Sequence, residues 1–280
     1  MNLNNYKIQT VTLNARDLTK MTQFYEETMG LTLLAKTEDT VKLGIKRTGE
    51  ILLELVHTTE PQERTSGLYH VAYLLPNRAA LGNFLRHLAI SQYPIQGASD
   101  HGYSEAVYLA DPEGNGIEVY ADKPEDQWDL RDNGIIVGVT EAMDVEGVLA
   151  AATQEFQHLA DETFIGHVHL AVSTVPETSS FFHEVLGFTI TTEFGQQAAF
   201  YGKDGYHHQF AGNIWTTRNF PDNQDGTPGI NEILVNVSDQ VMAETQGAMK
   251  TQNYPFTIEE QALVFHDPNG IKFRYVVATN

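Results

Sequence analysis

The sequence predicts an α+β protein built from four βαβββ modules, paired into two cup-shaped, half-open barrels. Three observations predict it. IQTVTLNARDLTKMTQFYEETMGLTLL (Ile8–Leu34) matches IGHVHLAVSTVPETSSFFHEVLGFTIT (Ile165–Thr191). GLYHVAYLL (Gly67–Leu75) corresponds to GINEILVNV (Gly229–Val237), and YLADPEGNGIEVY (Tyr108–Tyr120) to VFHDPNGIKFRY (Val264–Tyr275). The halves are offset by about 157 residues, and agreement of several segments on nearly one offset marks a structural unit used repeatedly.

The elements follow in order. Residues after Ile8 and after Ile165 alternate apolar and polar, which reads as a half-buried strand. Each strand leads into a helix start signal, then an aromatic pair (Phe24-Tyr25; Phe181-Phe182), then a glycine that ends the helix (Gly30; Gly187). Each half holds two units of strand, helix and three further strands, giving modules at roughly 6–57, 66–122, 163–215 and 228–278. Residues 123–162, with Trp128 and a helix over Val145–His158, join the halves. The expected domains are therefore 6–122 and 163–280, with 123–162 as connector. One βαβββ unit leaves a sheet face bare, so modules must pair, and paired sheets curl into a cup.

Bulk composition narrows the function. A formal charge of −20 makes nucleic acid and anionic membrane poor partners. The absence of cysteine excludes disulfides, thiolate ligands and a cysteine nucleophile, so any metal must be held by histidine and carboxylate. The N-terminus lacks a basic n-region and an apolar h-region, and no apolar run could span a bilayer, so a cytoplasmic protein is expected. Association into a homo-oligomer is left open.

The densest chemistry lies between His101 and Glu118, with His70 upstream. Glu118 sits inside IEVY, where a carboxylate on an inward strand face needs a cation or hydrogen-bond donors. His70, in a mainly apolar strand, reads as a core histidine or as a ligand. His167 and His169 share a strand face, whereas His207 and His208 point to opposite faces, so one of that pair enters a cavity, and His208 is favoured. Tyr108 reads as core or, from its spacing to Glu118, as functional. Asp-Pro-x-Gly by itself is turn chemistry. His57, His87, His158, His183 and His266 read as surface or structural. Glu54, in ILLELV, competes as a second carboxylate in an apolar strand.

The repeat resembles the vicinal oxygen chelate superfamily, which includes glyoxalase I, the bleomycin-resistance proteins and the extradiol ring-cleaving dioxygenases. His101, Val107, Tyr108, Asp111, Pro112, Gly114 and Glu118 match the extradiol signature, with Ser99 departing from it. Among these families the chain is most similar to catechol-2,3-dioxygenase-like proteins of Gram-positive bacteria. In the superfamily each module can offer a ligand from its first and last strands. The first-strand positions here are Thr10, His70, His167 and Glu232, and the last-strand positions Glu54, Glu118, about Gln209, and Arg274. Pairing modules one and two would gather Thr10, Glu54, His70 and Glu118. Crossed pairing of modules two and three would gather His70, Glu118 and His167, a 2-His-1-carboxylate set with open positions.

The resemblance thus implies a non-haem Fe(II), or alternatively Mn(II), enzyme that opens a small aromatic diol with O2. His208 would act as acid–base residue, and His101 and Tyr108 would hydrogen-bond substrate oxygens. Two alternatives stay open: a glyoxalase-like isomerase or lyase using Glu54 and Glu118 around His70, and a metal-poor protein that binds an aromatic drug.

Overall fold

A computed structural model describes residues 3–132 and 134–278. Every module has the expected order. The first runs β1 (Tyr6–Ala15), α1 (Leu18–Glu27), β2 (Thr32–Lys36), β3 (Thr40–Ile45), β4 (Glu50–His57). The second runs β5 (Gly67–Leu75), α2 (Arg78–Ser91), β6 (Gly97–Asp100), β7 (Ser104–Ala110), β8 (Gly116–Asp122). The connector adds a short β9 (Glu141–Ala142) and α3 (Val145–Ala151). The third module is β10 (Phe164–Ala171), α4 (Val175–Ser180) continued by a π-turn over Phe181–Val185, β11 (Thr189–Phe194), β12 (Ala198–Gly202), β13 (Phe210–Asn213). The fourth is β14 (Gly229–Val237), α5 (Asp239–Thr251), β15 (Thr257–Glu259), β16 (Ala262–His266), β17 (Lys272–Val277).

Local chemistry sets the boundaries. Asp17, Asn77, Asp144 and Ser238 each cap a helix by accepting a backbone N–H three residues on. Gly30 ends the first helical turn-off with φ +74°, and a Cβ there would stand 2.6 Å from the Phe156 ring, so glycine is required twice over. The connector helix is shorter than its sequence suggests. It stops at Ala151 because Asn83 Oδ1 takes the backbone N–H groups of Thr153 (3.0 Å) and Gln154 (3.1 Å), which diverts the chain from helical bonding.

By compactness the chain forms two units, each made of separate segments. One holds the N-terminal strand up to Arg16, Thr58–Tyr69 and everything from His167 onward. In it β1 lies antiparallel to β14, and β14 runs parallel to β17, followed by β16 and β15. β10 runs parallel to β13, which continues through β12 to β11. Its core is aromatic: Phe188, Phe210, Phe265 and Phe273 are fully buried, and the buried Tyr6 and Tyr275 hydroxyls are 2.6 Å apart. The β1–β14 pairing joins the first module to the fourth through their first strands.

The other unit comprises Asp17–His57 and His70–Gly166. Here β2, β3 and β4 form one antiparallel set, while β5 runs parallel to β8, followed by β7, β6 and β9. The Asp-Pro-x-Gly turn after β7 proves structural. Asp111 Oδ1 accepts from the N–H groups of Glu113 and Asn115, both at 2.9 Å, and Tyr25 donates its hydroxyl to Oδ2 at 3.0 Å. Among the described residues no helix is long and apolar enough to cross a membrane.

Candidate metal centre and active site

Strand register ties the repeated positions together. Across β5 and β8, Ala72 pairs with Glu118; across β14 and β17, Leu234 pairs with Arg274; across β10 and β13, His169 pairs with Ala211. His70, Glu232 and His167 each stand two residues before the first partner in these pairs, on the same strand face. The last-strand position of the third module is therefore Ala211, not Gln209. Gln209 precedes β13, and its amide bonds both the N–H (2.7 Å) and the carbonyl (3.2 Å) of Lys203.

The candidate ligands have separate fates. His70 and Glu118 are buried, with Nε2 3.0 Å from Oε2. His167 is also buried, and one ligand atom from each of His70, Glu118 and His167 lies within 4.8 Å of the others. Glu54 is excluded as an equal competitor, because it is only half-buried and faces Lys42 across the β3–β4 register at 3.5 Å. Glu232 is neutralised by Lys272 (3.1 Å) and Arg274 (3.0 Å), and Arg274 also reaches Glu259 (2.9 Å). The fourth module thus carries an ion-pair network where the second carries histidine and glutamate.

The donor set fits a divalent transition metal. Ligand atoms about 2.1 Å from one ion and at right angles stand about 3.0 Å apart, the spacing His70 and Glu118 already have. Two neutral imidazoles with one carboxylate suit iron or manganese and leave positions for exogenous ligands.

Around His70 and Glu118, Tyr108 stands directly opposite Glu118 in the β7–β8 register, its ring centroid 5.7 Å from that of His70. His101 Nδ1 lies 2.8 Å from the Val139 carbonyl, which can only accept, so Nδ1 carries a proton. In the neutral ring Nε2 is then an acceptor, and the Tyr108 hydroxyl donates to it at 2.6 Å. The His101 loop is firmly held: Asp100 accepts from the N–H of Gly102, is ion-paired to Lys123 at 2.6 Å, and Val139 donates its N–H to the His101 carbonyl. Tyr103 stacks beside His101, and burial, aided by the charges of Glu118 and Asp122, pushes its phenol well above the usual range.

Around His167, the His208 ring lies 4.2 Å away, and His207 Nδ1 is 2.8 Å from His208 Nδ1. Phe200 packs edge-on to His208 at 4.9 Å and to His169 at 5.6 Å. His169 Nε2 accepts from Asn213 Nδ2 at 3.0 Å, which makes it a held, structural histidine. Sequence reasoning passed over Val139, Asn213 and Phe200. None carries a signature, since their roles rest on a carbonyl, an amide and a ring brought in by the fold.

The Glyoxalase/Bleomycin resistance protein/Dioxygenase superfamily matches residues 7–119 and 164–275, and the chain belongs to it. It is 37% identical over 269 residues to a protein named Catechol-2,3-dioxygenase from Bacillus subtilis (strain 168), covering 94% of each chain. Solved structures share the fold at lower identity. A putative dioxygenase from Bacillus subtilis subsp. subtilis str. 168 superimposes with a TM-score of 0.68 at 14% identity, over 98% of this chain and 86% of that one. Glyoxalase I from Zea mays gives 0.57 at 15% identity, over 98% and 92%.

Proposed function

We propose that this chain is a metal-dependent extradiol dioxygenase that opens the ring of a catechol-type substrate with O2. The reading is carried by the convergence of His70, Glu118 and His167 in a chain 37% identical to a protein named for that activity. These three residues would hold the metal, Fe(II) in preference to Mn(II). The bound metal would supply adjacent positions for the two diol oxygens and for O2.

The chain's own groups would handle the protons. Of the two facing Nδ1 atoms of His207 and His208, one carries the proton and the other accepts it. With the proton on His208 Nδ1, its Nε2 is the basic nitrogen and takes a proton from the diol; the same nitrogen later returns it to the product. The Tyr108–His101 pair holds a second proton: with the Tyr108 hydroxyl donated to His101 Nε2, the phenol oxygen is placed to accept a hydrogen bond from a substrate hydroxyl. Phe200 beside His208 offers an apolar wall for the ring. A glyoxalase-type isomerase would enlist Glu54, whose carboxylate is engaged by Lys42.

The test is metal and activity together. Protein loaded anaerobically with Fe(II) should turn catechol yellow on admission of air, with matching uptake at an oxygen electrode. His70→Ala, Glu118→Gln and His167→Ala should each lower metal affinity by about 100-fold or more, whereas Thr10→Ala should not. Iron-loaded protein that cleaves no simple catechol would overturn the reading. So would loss of metal in the Thr10 variant with retention in the His167 variant.

A further inference from the structure

Beyond His169, and within the same compact unit, lies a cavity of about 370 Å³ lined by Gln197, Ile214, Trp215, Thr216, Arg218 and Phe220. That volume is in the range of small-molecule sites. Three properties set it apart. Its lining contains no carboxylate, although the chain carries a formal charge of −20. Its one cation, Arg218, has no ion-pair or hydrogen-bond partner among the described residues. Its apolar side is an indole, a phenyl ring and an isoleucine, a surface that suits an aromatic ligand.

The loop that carries Arg218 is fixed rather than slack. Thr217, buried, donates its hydroxyl to the Val172 carbonyl at 2.8 Å, Asn219 donates its N–H to the Ser173 carbonyl at 3.1 Å, and Phe220 donates to the Thr217 carbonyl at 2.9 Å. Asn219 holds φ at +59°, a left-handed conformation that asparagine tolerates better than most residues. The cavity is also tied to the His167 strand. Asn213, fully buried, donates from Nδ2 to His169 Nε2 and accepts the Trp215 N–H on Oδ1 at 3.1 Å. The Trp215 ring packs on His169, which stands two residues along β10 from His167 on the same face.

We infer that this cavity is a binding subsite for an aromatic carboxylate, with the ring against Trp215 and Phe220 and the carboxylate on the Arg218 guanidinium. None of the residues proposed to hold the metal lines this cavity, so the subsite is distinct from the metal centre. The guanidinium fork matches a carboxylate with two parallel hydrogen bonds, a geometry that a lysine ammonium cannot reproduce. In so acidic a protein an arginine with no ion-pair partner among the described residues also supplies the local field that an anionic ligand needs in order to approach.

The experiment separates this inference from the dioxygenase reading. Trp128 and Trp215 are the two tryptophans, so Trp128→Phe leaves Trp215 as the reporter. Titration of the metal-free protein with phenylacetate at low salt should change Trp215 emission saturably. Arg218→Gln should weaken binding about tenfold or more and Arg218→Lys less, while benzyl alcohol should not distinguish the variants. Unchanged melting of each variant in circular dichroism shows that folding is intact. Equal phenylacetate affinity in the parent and Arg218→Gln, or no saturable response, overturns the inference whatever the activity. Phenylacetate binding through Arg218 without cleavage of any catechol would keep the subsite and remove the dioxygenase.

Discussion

Replacing Gly166 by alanine tests the packing that delivers His167. Gly166 precedes His167 on β10, and its missing side chain makes room for Tyr120, which is fully buried on β8 two residues beyond Glu118. A Cβ at Gly166 would overlap the Tyr120 hydroxyl and stand 2.8 Å from Cζ and 3.0 Å from Leu74 Cβ. Carbon atoms pack at about 3.5–4.0 Å, so the tyrosine must move by roughly 1 Å inside a close-packed core. Overpacking of this kind costs about 1–3 kcal/mol, and full burial of the tyrosine puts it near the top of that range. Restricting the unfolded chain by replacing glycine returns about 0.4–1 kcal/mol. The net expectation for Gly166→Ala is a loss of about 2 kcal/mol in urea unfolding followed by far-ultraviolet circular dichroism. Tyr120→Phe removes the worst-placed atom and by itself costs on the order of 1 kcal/mol, the usual scale of a single buried substitution. The double variant should therefore be more stable than the sum of the single costs by about 1 kcal/mol or more. A Gly166→Ala protein within about 0.5 kcal/mol of the parent, or strictly additive costs, would refute the reasoning.

Two further outcomes follow from the same geometry. His208→Ala should lower kcat on catechol by about 10²–10⁴ while metal content stays unchanged, measured by steady-state oxygen uptake and metal analysis; loss of metal would instead make His208 a ligand. Burial pushes the Asp267 carboxyl up from 3.8 to about 6. The folded state then holds a proton that the unfolded state has already released, so stability is full below about pH 4 and declines as pH rises to 6, on the order of 3 kcal/mol for this group. Asp267→Asn should flatten that part of the profile, as measured by denaturant midpoints at pH 4, 5 and 6, and an unchanged slope counts against the assignment.

The fold was legible because repetition is a property of sequence. Aromatic pairs, helix-ending glycines and Asp-Pro turns recur at nearly one offset, and alternation marks the strands that begin near Ile8 and Ile165, the second of which carries His167. The Asp-Pro segments read as turn chemistry, and Asp111 fulfils that role through two backbone N–H groups and the Tyr25 hydroxyl. Less was legible where a residue's partner is remote. Glu54 looked like a buried carboxylate because its neighbours along the strand are apolar. Lys42, its partner on β3, becomes a neighbour only through register. The last-strand position of the third module falls at Ala211, two residues past Gln209, because the chain before β13 is irregular and period-two counting fails there.

Sequence alone determined the four modules, the donor types available to a metal and the absence of thiolate chemistry. Tertiary structure decided which module pairs with which: β1 lies against β14, a choice made by strand edges hundreds of residues apart in sequence. It also decided which donors meet, which histidine tautomer the Val139 carbonyl enforces, and that Arg218 lines a cavity with no carboxylate among its lining residues. The division has a physical cause. Strand and helix periods are set by neighbours along the chain, whereas ligation, tautomer and charge pairing depend on distances of a few ångströms between residues that only the folded chain brings together.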